Sequence, residues 1–423
     1  MPVKSLAVCE FPEEDRDPLD ILKKSNEGRL RKLIPIRNSR MSSNPFAFLR
    51  GSAAIMAHDL ASGKESGIPV RACGDCHLAN FGVFASPERN LVFDITDFDE
   101  TYPAPFEWDV KRLVTSCYIA GAGNGFSRKA CRTIVRACAA TYRKTMIRFS
   151  RMKTLDRWYS RIENRRITAS IPGLKTDKGN RTPDEEAVKR TFLVTPRTMQ
   201  KKTDPFRIVD HEPLIYHPPG KWHLEDKVVA ALEEYRRSLP YERRILYDRF
   251  SLEDVAVKVV GIGSVGTRCL ILLFRGENND RLLLQAKEAR RSVLSDSAYG
   301  RKFDHNGERV VVGQRIMQSA SDIFLGWMTS PGDGIQYYVR QLRDGKFSPD
   351  VETMSLRKLH RYSQLCGWTL ARSHSRGGDS AVIAGYLGKG DGFERAMDDF
   401  SGSYAARVEK DYELFVESLK SEG

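Results

Sequence analysis

The sequence lacks a long hydrophobic run, because no stretch of its 423 residues approaches the roughly 18 consecutive apolar residues of a membrane-spanning helix. It also lacks internal repeats and low-complexity segments. Its first residues do not resemble a signal or transit peptide, since a brief apolar run is followed by Glu13, Glu14 and Asp15. We therefore expect a soluble, cytoplasmic protein without a membrane partner.

The eight cysteines do not form a recognisable metal-binding or disulfide pattern. Cys73 and Cys76 form a CxxC pair, but no second ligand pair follows at the spacing of a structural zinc site. A chain of this length does not need disulfides, and most of the cysteines lie among apolar neighbours. We interpret them as small buried side chains.

Acidic residues are fewer than basic ones, which gives a formal net charge of +13. Such an excess is compatible with a nucleic-acid partner. The basic residues are spread along the chain, however, and those of residues 127–151 fall on one face of a predicted helix. This distribution favours a solvated surface with affinity for phosphate-bearing molecules, and nucleic acid stays a second option.

Hydrophobic periodicity predicts a mixed succession of helices and strands. The predicted helices are Asn44–Leu60, Phe106–Ala122, Ser127–Met152, Leu224–Ser238, Ser292–Lys302, Arg309–Ser319, Leu356–Ser375 and Gly392–Lys420. The predicted strands are Ile68–Ala72, Asn90–Ile95, a strand-turn-strand unit within Asp254–Lys287, and Gln336–Arg343. A chain of this length is expected to form two lobes or domains.

The first chemical motif is the loop CGDCHLANFG at residues 73–82. Asp75 and Asn80 have the spacing of the Asp and Asn of the kinase catalytic loop. In that loop the Asp accepts the proton of the substrate hydroxyl and the Asn binds Mg²⁺. His77 lies between them. The motif therefore predicts Asp75, His77 and Asn80 as catalytic residues.

A strand that ends in carboxylates, VFDITDFDE at residues 92–100, follows that loop. Mg²⁺ prefers one or two carboxylates together with phosphate oxygens. Asp97 is the principal metal-ligand candidate, Asp94 and Asn80 are further ones, and the choice among Asp94, Asp97 and Asp99 stays open. The alternative is an exposed, solvated turn, but the interleaved apolar side chains imply burial, where an unpaired carboxylate is costly.

The third motif is GIGSVG at residues 261–266. A dinucleotide-binding fold requires a helix directly after such glycines, whereas here residues 267–274 read as a strand. A turn and a second strand that ends at Lys287 complete the kinase arrangement, in which the hairpin covers the phosphates and the lysine contacts them. The predicted nucleotide-binding residues are Gly261, Gly263, Ser264, Gly266 and Lys287. An ordinary β-hairpin with turn glycines is the alternative.

Kinases pair this lysine with an acid on a helix. Glu308, Glu288 and the polar Gln314 are all available, and the sequence does not choose among them. Asp109, in the first turn of a predicted helix, is interpreted as a structural residue or as a brace for the catalytic loop. His374, near the end of a predicted helix, is interpreted as a packing or capping residue.

The motifs together resemble a known family. Over about residues 37–412 the chain resembles the bacterial domain-of-unknown-function family 2252, on the motifs NPFAFLRG, CGDCHLANFG, VFDITDFDE, PFEWDVKRL, GIGSVGTRC, LQAKEA, GQRIMQ, LGW and LARSHSRGGD. The family distantly resembles the kinase superfamily, particularly aminoglycoside and choline kinase-like enzymes with an H-G-D-x-H-x-x-N loop. That resemblance implies Asp75 as the base, Asn80 as a metal ligand, Asp97 as the principal metal aspartate and Lys287 as the phosphate-contacting lysine.

Two features depart from the kinase pattern. Cys73 stands where the small-molecule kinases have the first histidine of the loop. The catalytic segment also precedes the nucleotide-binding segment, which reverses the usual order. A circular permutation accommodates this reversal, because the termini of domains often lie close together. The predicted helix Leu356–Ser375 then corresponds to the helix that normally precedes the catalytic loop.

The predicted fold is α+β, two-lobed and kinase-like, with a circularly permuted order. Residues 1–153 are expected to form a helical lobe with the catalytic loop and the metal-binding strand, and residues 154–245 a basic insertion or connector. Residues 246–345 are expected to form a nucleotide-binding β-lobe, and residues 346–423 the helices that complete the helical lobe.

The predicted function is ATP- and Mg²⁺-dependent phosphotransfer to a hydroxyl of an unidentified small-molecule or protein acceptor. Nucleotidyl (AMP) transfer is an alternative within the same class. A non-catalytic kinase-like protein that binds nucleic acid or a protein partner is a second alternative. A metal-dependent hydrolase built on Asp75, His77, Asp94 and Asp97 explains less, because it gives the glycine loop and Lys287 no role.

Overall fold

The structure is a computed structural model that describes residues 1–9, 16–88, 90–163, 207–218, 221–259, 261–295, 299, 302–342 and 349–421. Within these residues the fold is α+β, as predicted: helices form one part of the molecule and a six-stranded antiparallel sheet forms the core of the other. Of the predicted connector, residues 164–206 lie outside the described residues. No helix in the described part of the chain is both long and apolar enough to span a bilayer.

The helices are α1 (Pro18–Asn26), α2 (Ile34–Met41), α3 (Pro45–Gly51), α4 (Ala53–Ser62), α5 (Phe106–Gly123), α6 (Arg128–Ser150), α7 (Thr154–Tyr159), α8 (Lys221–Ser238), α9 (Tyr241–Tyr247), α10 (Asn306–Met317), α11 (Leu356–Gly377), α12 (Ser380–Leu387) and α13 (Gly392–Ser421). The strands are β1 (Pro69–Ala72), β2 (Phe81–Ala85), β3 (Leu91–Ile95), β4 (Tyr102–Pro105), β5 (Ile162–Glu163), β6 (Ile215–Tyr216), β7 (Ser251–Lys258), β8 (Cys269–Arg275), β9 (Arg281–Glu288), β10 (Gly326–Thr329) and β11 (Gln336–Gln341).

The region predicted as one helix over Asn44–Leu60 consists of two helices, α3 and α4. Asn44 caps α3 by accepting a hydrogen bond from the Ala47 amide, and Pro45 occupies the first helical position, as the sequence predicts. The helix ends at Gly51, which packs so closely on Met41 that a Cβ there would lie 2.5 Å from the Met41 side chain. This contact with α2 is tertiary, so local periodicity does not reveal the break.

Two small antiparallel sheets frame the loops that carry the acidic motifs. Strand β1 pairs with β4, and β2 pairs with β3, which is joined on its other edge by β5. Residues 73–80 follow β1 and residues 96–101 precede its partner β4, so the pairing of Ala72 with Tyr102 brings the two loops next to each other. The pairing of Gly82 with Asp94 fixes the register of the β2–β3 hairpin between them.

Long helices from distant parts of the chain surround this region. Helix α6 packs on α11 and α13, and α5 packs on α6 and α13. Arg143, predicted on the solvated face of α6, is instead buried and bonded to Glu394 of α13. Arg132 and Arg136 pair with Asp398. Part of the positive charge of α6 is therefore neutralised within the molecule.

The six-stranded sheet has the order β10-β11-β9-β8-β7-β6 and is antiparallel throughout. The predicted strand, glycine loop, strand, turn and strand correspond to β7, residues 261–266, β8, residues 276–280 and β9. One face of the sheet has its own apolar core, to which α8 contributes Val228 and Tyr235. The end of the 154–245 segment therefore packs on the sheet. The predicted helix Ser292–Lys302 is a turn over residues 293–295, and most of its remainder lies outside the described residues.

Candidate functional site

A cavity of about 1240 Å³ lies between the six-stranded sheet and the helical part of the molecule. Almost all of the residues predicted from the three motifs line it, although they are far apart in the sequence. These residues are Asp75, His77, Asn80, Asp97, Gly261, Gly263, Ser264 and Lys287. Asp94 and Gly266 are the predicted residues that do not line it.

Lys287 meets the acidic strand end inside this cavity. Its ammonium lies 2.7 Å from Asp99 Oδ2 and 3.8 Å from Asp97 Oδ2, although only 3% of the residue is exposed. Burial alone would lower the pKa of Lys287, but the charges of Asp97 and Asp99 raise it well above its ordinary value. The lysine is therefore a buried cation, and two sequence segments nearly 200 residues apart meet at this point.

Asp99 connects Lys287 to the glycine loop and to strand β11. Its Oδ2 accepts a hydrogen bond from Ser264 Oγ at 3.0 Å, and its Oδ1 accepts one from the Tyr338 hydroxyl at 2.6 Å. Burial would raise the pKa of Asp99, but the attraction of Lys287 and the hydrogen bonds from Lys287 and Tyr338 lower it below its ordinary value. Asp99 is the closest acid to Lys287. The sequence alone did not identify which acid pairs with this lysine.

A carboxylate of α5 braces the loop that carries Asp75. Asp109 accepts hydrogen bonds from the backbone amides of Cys73 and Gly74, at 2.6 and 2.9 Å. Gly74 has a φ of +86°, and a Cβ there would lie 2.3 Å from the Glu100 carbonyl oxygen, so the turn requires glycine. The geometry therefore agrees with the second interpretation of Asp109, as a brace.

His374 supports that brace from α11. Its Nε2 lies 3.0 Å from Asp109 Oδ2, and its Nδ1 lies 2.8 Å from the Tyr142 hydroxyl. All three side chains are buried. His374 therefore has a positioning role behind the loop, which is consistent with a packing residue, and it does not itself line the cavity.

Asp75 is held in place from two directions. Its Oδ1 accepts a hydrogen bond from Arg112 Nε at 2.6 Å, and Arg112 Nη2 also donates to the Leu49 carbonyl. The side-chain amide of Asn80 donates to the Asp75 carbonyl oxygen at 2.6 Å. The two residues therefore belong to one short, hydrogen-bonded loop, and the catalytic roles that the five-residue spacing predicts stay a prediction.

His77 is buried beside Asp75 and is only 3% exposed. Burial outweighs the attraction of Asp75 and lowers the pKa of His77 to about 3, and the charges of Arg112 and Arg50 lower it further. The imidazole is therefore neutral near pH 7. Its Nε2 lies 3.6 Å from Asp75 Oδ2, and its Nδ1 has no hydrogen-bond partner in the described part of the chain.

The oxygens of Asp97 and Asn80 are the groups that fit a divalent cation. The Asp97 side chain is 31% exposed and lines the cavity. Asn80 uses its amide nitrogen to bond Asp75, which leaves the amide oxygen for a ligand. Among the described residues no three His, Cys, Asp or Glu side chains form a metal cluster, and Mg²⁺ does not need one because phosphate oxygens and water complete its six ligands.

Asp94 does not belong to this site. Its carboxylate is fully buried and bonded to Arg372 of α11, while Oδ2 also accepts hydrogen bonds from the backbone amide and the hydroxyl of Ser319 at 2.7 and 2.6 Å. These partners satisfy both oxygens in the protein interior. Asp94 therefore links β3 to α10 and α11, and the prediction of a metal ligand at this position does not hold.

Neither acid considered for Lys287 pairs with it. Glu288 accepts hydrogen bonds from the backbone amide and the guanidinium of Arg268, at 2.8 and 3.2 Å. Glu308 lies at the start of α10 and does not line the cavity. The residue of α10 that faces the cavity is Gln314, whose amide bonds Gln318. Lys287 is paired with acids from the loop after β3 instead of an acid from a helix.

Comparison with known proteins adds a family assignment. Residues 29–418 match the model of the family described as "Uncharacterized protein conserved in bacteria (DUF2252)". The chain belongs to this family. No curated protein and no solved structure shows significant similarity to it.

For this DUF2252 member, sequence reasoning missed Arg112, Tyr338 and Arg340. Arg340 lines the cavity and donates to the Thr96 carbonyl, and Tyr338 bonds Asp99. One signal was available for Arg112: it follows Asp109 by one helical turn in a helix with few solvent-facing positions, and a buried charge needs a partner. The two β11 residues had no such signal, because their contacts depend on strand pairing.

Proposed function

We propose that the protein is an ATP- and Mg²⁺-dependent phosphotransferase with a kinase-like, circularly permuted fold, acting on an acceptor hydroxyl. The observation that carries the proposal is the meeting of Lys287 with Asp97 and Asp99 in one cavity. The glycine loop and the Asp75–Asn80 loop line the same cavity. These are the four parts that a phosphoryl-transfer site of the kinase type requires.

The phosphates would lie between the glycine loop and Lys287. Gly261 and Gly263 carry no side chain that would hinder a close approach, since a Cβ at Gly261 meets nothing within 4 Å and one at Gly263 meets only the Arg50 carbonyl at 3.6 Å. Lys287 would exchange part of its contact with Asp99 for a phosphate oxygen. Ser264, which bonds Asp99, connects the loop to the same acid.

Asp97 and the amide oxygen of Asn80 would hold Mg²⁺, which neutralises phosphate charge when it is bound. Asp75 would orient the acceptor hydroxyl and accept its proton, while Arg112 keeps the carboxylate in place. His77 would pack beside this carboxylate in its neutral form. The protein thus contributes positioning and charge neutralisation, with little covalent chemistry.

Two features of the architecture support the kinase-like interpretation. The sheet presents strand, glycine loop, strand, turn and lysine strand, followed by α10, in the order used by kinases for nucleotide binding. The loop of Asp75 and the loop of Asp97 are separated by the β2–β3 hairpin and braced by Asp109. The position of these loops before the sheet in the sequence is the reason for proposing a permuted order.

Binding of ATP tests the proposal directly. We expect Mg²⁺ and ATP to raise the melting temperature of the wild-type protein, and Lys287→Ala or Asp97→Asn to abolish that increase. Lys129→Ala on the exposed face of α6 is the matched control, and it is expected to behave as wild type. A wild-type protein that ATP does not stabilise, or variants that respond as wild type does, would contradict the proposal.

The chemical step is tested separately from binding. Asp75→Asn is expected to retain the ATP-dependent stabilisation and to lower the basal rate of ATP turnover by roughly 100-fold or more. Mass spectrometry of the products distinguishes a transferred phosphate from a transferred AMP. If the products carry AMP, the reaction at this site is nucleotidyl transfer and not phosphotransfer.

A further inference from the structure

Arg37 is a buried cation without an acidic partner on the wall of the same cavity. It lies on α2 and is only 1% exposed. Its Nη2 donates to the Gly51 carbonyl at 2.5 Å, whereas its Nε and Nη1 have no hydrogen-bond partner in the described part of the chain. A buried guanidinium with two unused donors is energetically costly unless an anion binds to it.

The charges nearest to Arg37 are also positive. Burial, followed by the charges of Arg29 and Arg290, lowers the pKa of Arg37 to about 9, so the group is still a cation at neutral pH. Arg29 donates to the carbonyls of Ser25 and Val265, and Arg290 donates to carbonyls of the same N-terminal segment. The charges of Glu100, Glu288 and Asp99 also act on Arg29, but the side-chain hydrogen bonds of the three guanidinium groups within the described residues go to backbone oxygens. Like charges held together in this way indicate a site for an anion.

Arg29 of this cationic cluster borders the glycine loop, where it donates to the Val265 carbonyl, whereas Arg37 itself bonds Gly51 at the end of α3. Lys287, the loop amides and the cation at Asp97 already face the phosphates of ATP in the proposed function. The cavity volume of about 1240 Å³ exceeds the roughly 300–1000 Å³ of a typical single-ligand pocket. The cavity therefore has space for a second molecule, and Arg37 provides a positive charge to bind it.

Arg50, on the same cavity wall, links the surroundings of Arg37 to those of Asp75 through chain adjacency and charge. Arg37 bonds the carbonyl of Gly51, and the preceding residue, Arg50, also lines the cavity. The charge of Asp75 acts on Arg50, whose Nε is buried without a partner in the described residues. A molecule anchored at Arg37 can therefore extend along α3 toward the proposed base.

We propose that the acceptor carries an anionic group, a phosphate or a carboxylate, that Arg37 binds together with Arg29 and Arg290 while the acceptor hydroxyl faces Asp75. The inference rests on the proposed function for the role of the second molecule. The anion site itself rests on Arg37 and does not depend on nucleotide binding.

Inorganic phosphate is the probe for this site. It is titrated calorimetrically into the full-length protein with and without saturating Mg²⁺ and a non-hydrolysable ATP analogue. We expect phosphate to bind in both conditions, and Arg37→Gln to weaken phosphate binding by about tenfold or more while the affinity for the analogue changes by less than about twofold. Arg128→Gln, the same change at an exposed position, is expected to leave both affinities unchanged.

The folded state of each variant is checked by circular dichroism, and Arg37→Lys serves as a second variant that keeps the charge. We expect Arg37→Lys to bind phosphate with intermediate affinity, because it loses the planar set of donors. We also expect Arg37→Gln to be at least as stable as wild type without phosphate, because it removes a buried unpaired charge.

Two outcomes would overturn parts of the inference, and a third would separate the anion site from the proposed function. Wild-type affinity of Arg37→Gln for phosphate would eliminate the anion site. Competition between phosphate and the ATP analogue would assign Arg37 to the nucleotide phosphates and overturn its role toward the acceptor. Arg37-dependent phosphate binding in a protein that does not bind the analogue would support the anion site and contradict the proposed function.

Discussion

Asp109 holds the loop of Asp75 through contacts that a neutral amide cannot reproduce. Its carboxylate accepts from two backbone amides and faces His374. We expect Asp109→Asn to lower the free energy of unfolding by about 2–3 kcal/mol, because the amide nitrogen would face an N–H donor in the protein interior. Urea denaturation measures this change. The exposed Asp156→Asn is the control, and equal unfolding midpoints for the two variants would contradict the role of Asp109 as a brace.

Lys111 makes the free energy of unfolding depend on pH, and the direction of that dependence follows from the pKa of this residue. It is 2% exposed and lies over the Phe400 ring, and burial lowers its pKa from an ordinary 10.5 to about 8, against the attraction of Glu107 and Cys9. Between these two values the unfolded chain binds more protons than the folded one. The stability that depends on Lys111 therefore rises with pH across this window and is lowest below pH 8.

We expect Lys111→Met to stabilise the protein by up to about 3 kcal/mol at pH 7 and to have little effect near pH 10.5. Urea denaturation of wild type and variant at pH 7, 9 and 10.5 measures the difference. Lys129→Met at an exposed position controls for the loss of charge. A difference that does not change with pH would show that Lys111 keeps its ordinary pKa.

At the scale of secondary structure elements, the sequence identified the hairpin that carries Lys287 but not the acid that meets it. Strand periodicity and turn glycines are local, so they locate β7, β8 and β9 without the rest of the fold. The contact of Lys287 with Asp99 depends on the packing of the loop after β3 against the sheet. Glu308, one of the candidates that the sequence left open, does not fill this role, because it was suggested by the pattern of other proteins and by no contact within this chain.

Local sequence patterns also could not show that Arg37 is a buried arginine without an acidic partner in the described part of the chain. The motif around Asp75 and Asn80 predicted two residues that line the cavity, because their spacing alone places them on one short loop. Arg37 belongs to a different helix, and its significance lies in the absence of an acid near it among the described residues. A local sequence pattern cannot predict that a buried arginine has no acidic partner, because the partners of a buried side chain come from distant segments.

The ion pair between Asp94 and Arg372 joins three elements and provides a test at this scale. It is buried, and it connects β3 and the end of α10 to α11. We expect Arg372→Met to cost about 3–5 kcal/mol, because it leaves the Asp94 carboxylate buried without its counter-charge. Arg395→Met, which removes an exposed pair with Asp391, is expected to cost less than about 1 kcal/mol. Similar costs for the two variants, measured in urea, would contradict this interpretation.

At the scale of the whole molecule, the helical core is assembled from both ends of the chain. Its buried residues range from Leu6 to Phe415, and Arg16 bonds both Asp59 and Asp411. The core on one face of the sheet, by contrast, lies entirely within residues 228–339. The helical part therefore requires both halves of the chain, whereas the sheet has an apolar core of its own.

We expect a fragment of residues 1–163 to lack cooperative unfolding, because α6 would lose its packing against α11 and α13. A fragment of residues 207–342 is expected to retain more structure, since its core is internal. Near-ultraviolet circular dichroism and urea titrations of the two fragments test both expectations. A cooperative transition of fragment 1–163 alone would show that the helical part folds without its C-terminal helices.

The position of Lys287 also has a consequence for synthesis on the ribosome. The Asp97–Asp99 loop leaves the ribosome roughly 190 residues before its cationic partner, an interval of about 10–40 s at typical elongation rates. His374, which supports Asp109 behind the loop of Asp75, is made later still. A nascent chain thus carries a cluster of carboxylates with no ammonium to neutralise them, and the cavity can form only when translation is almost complete.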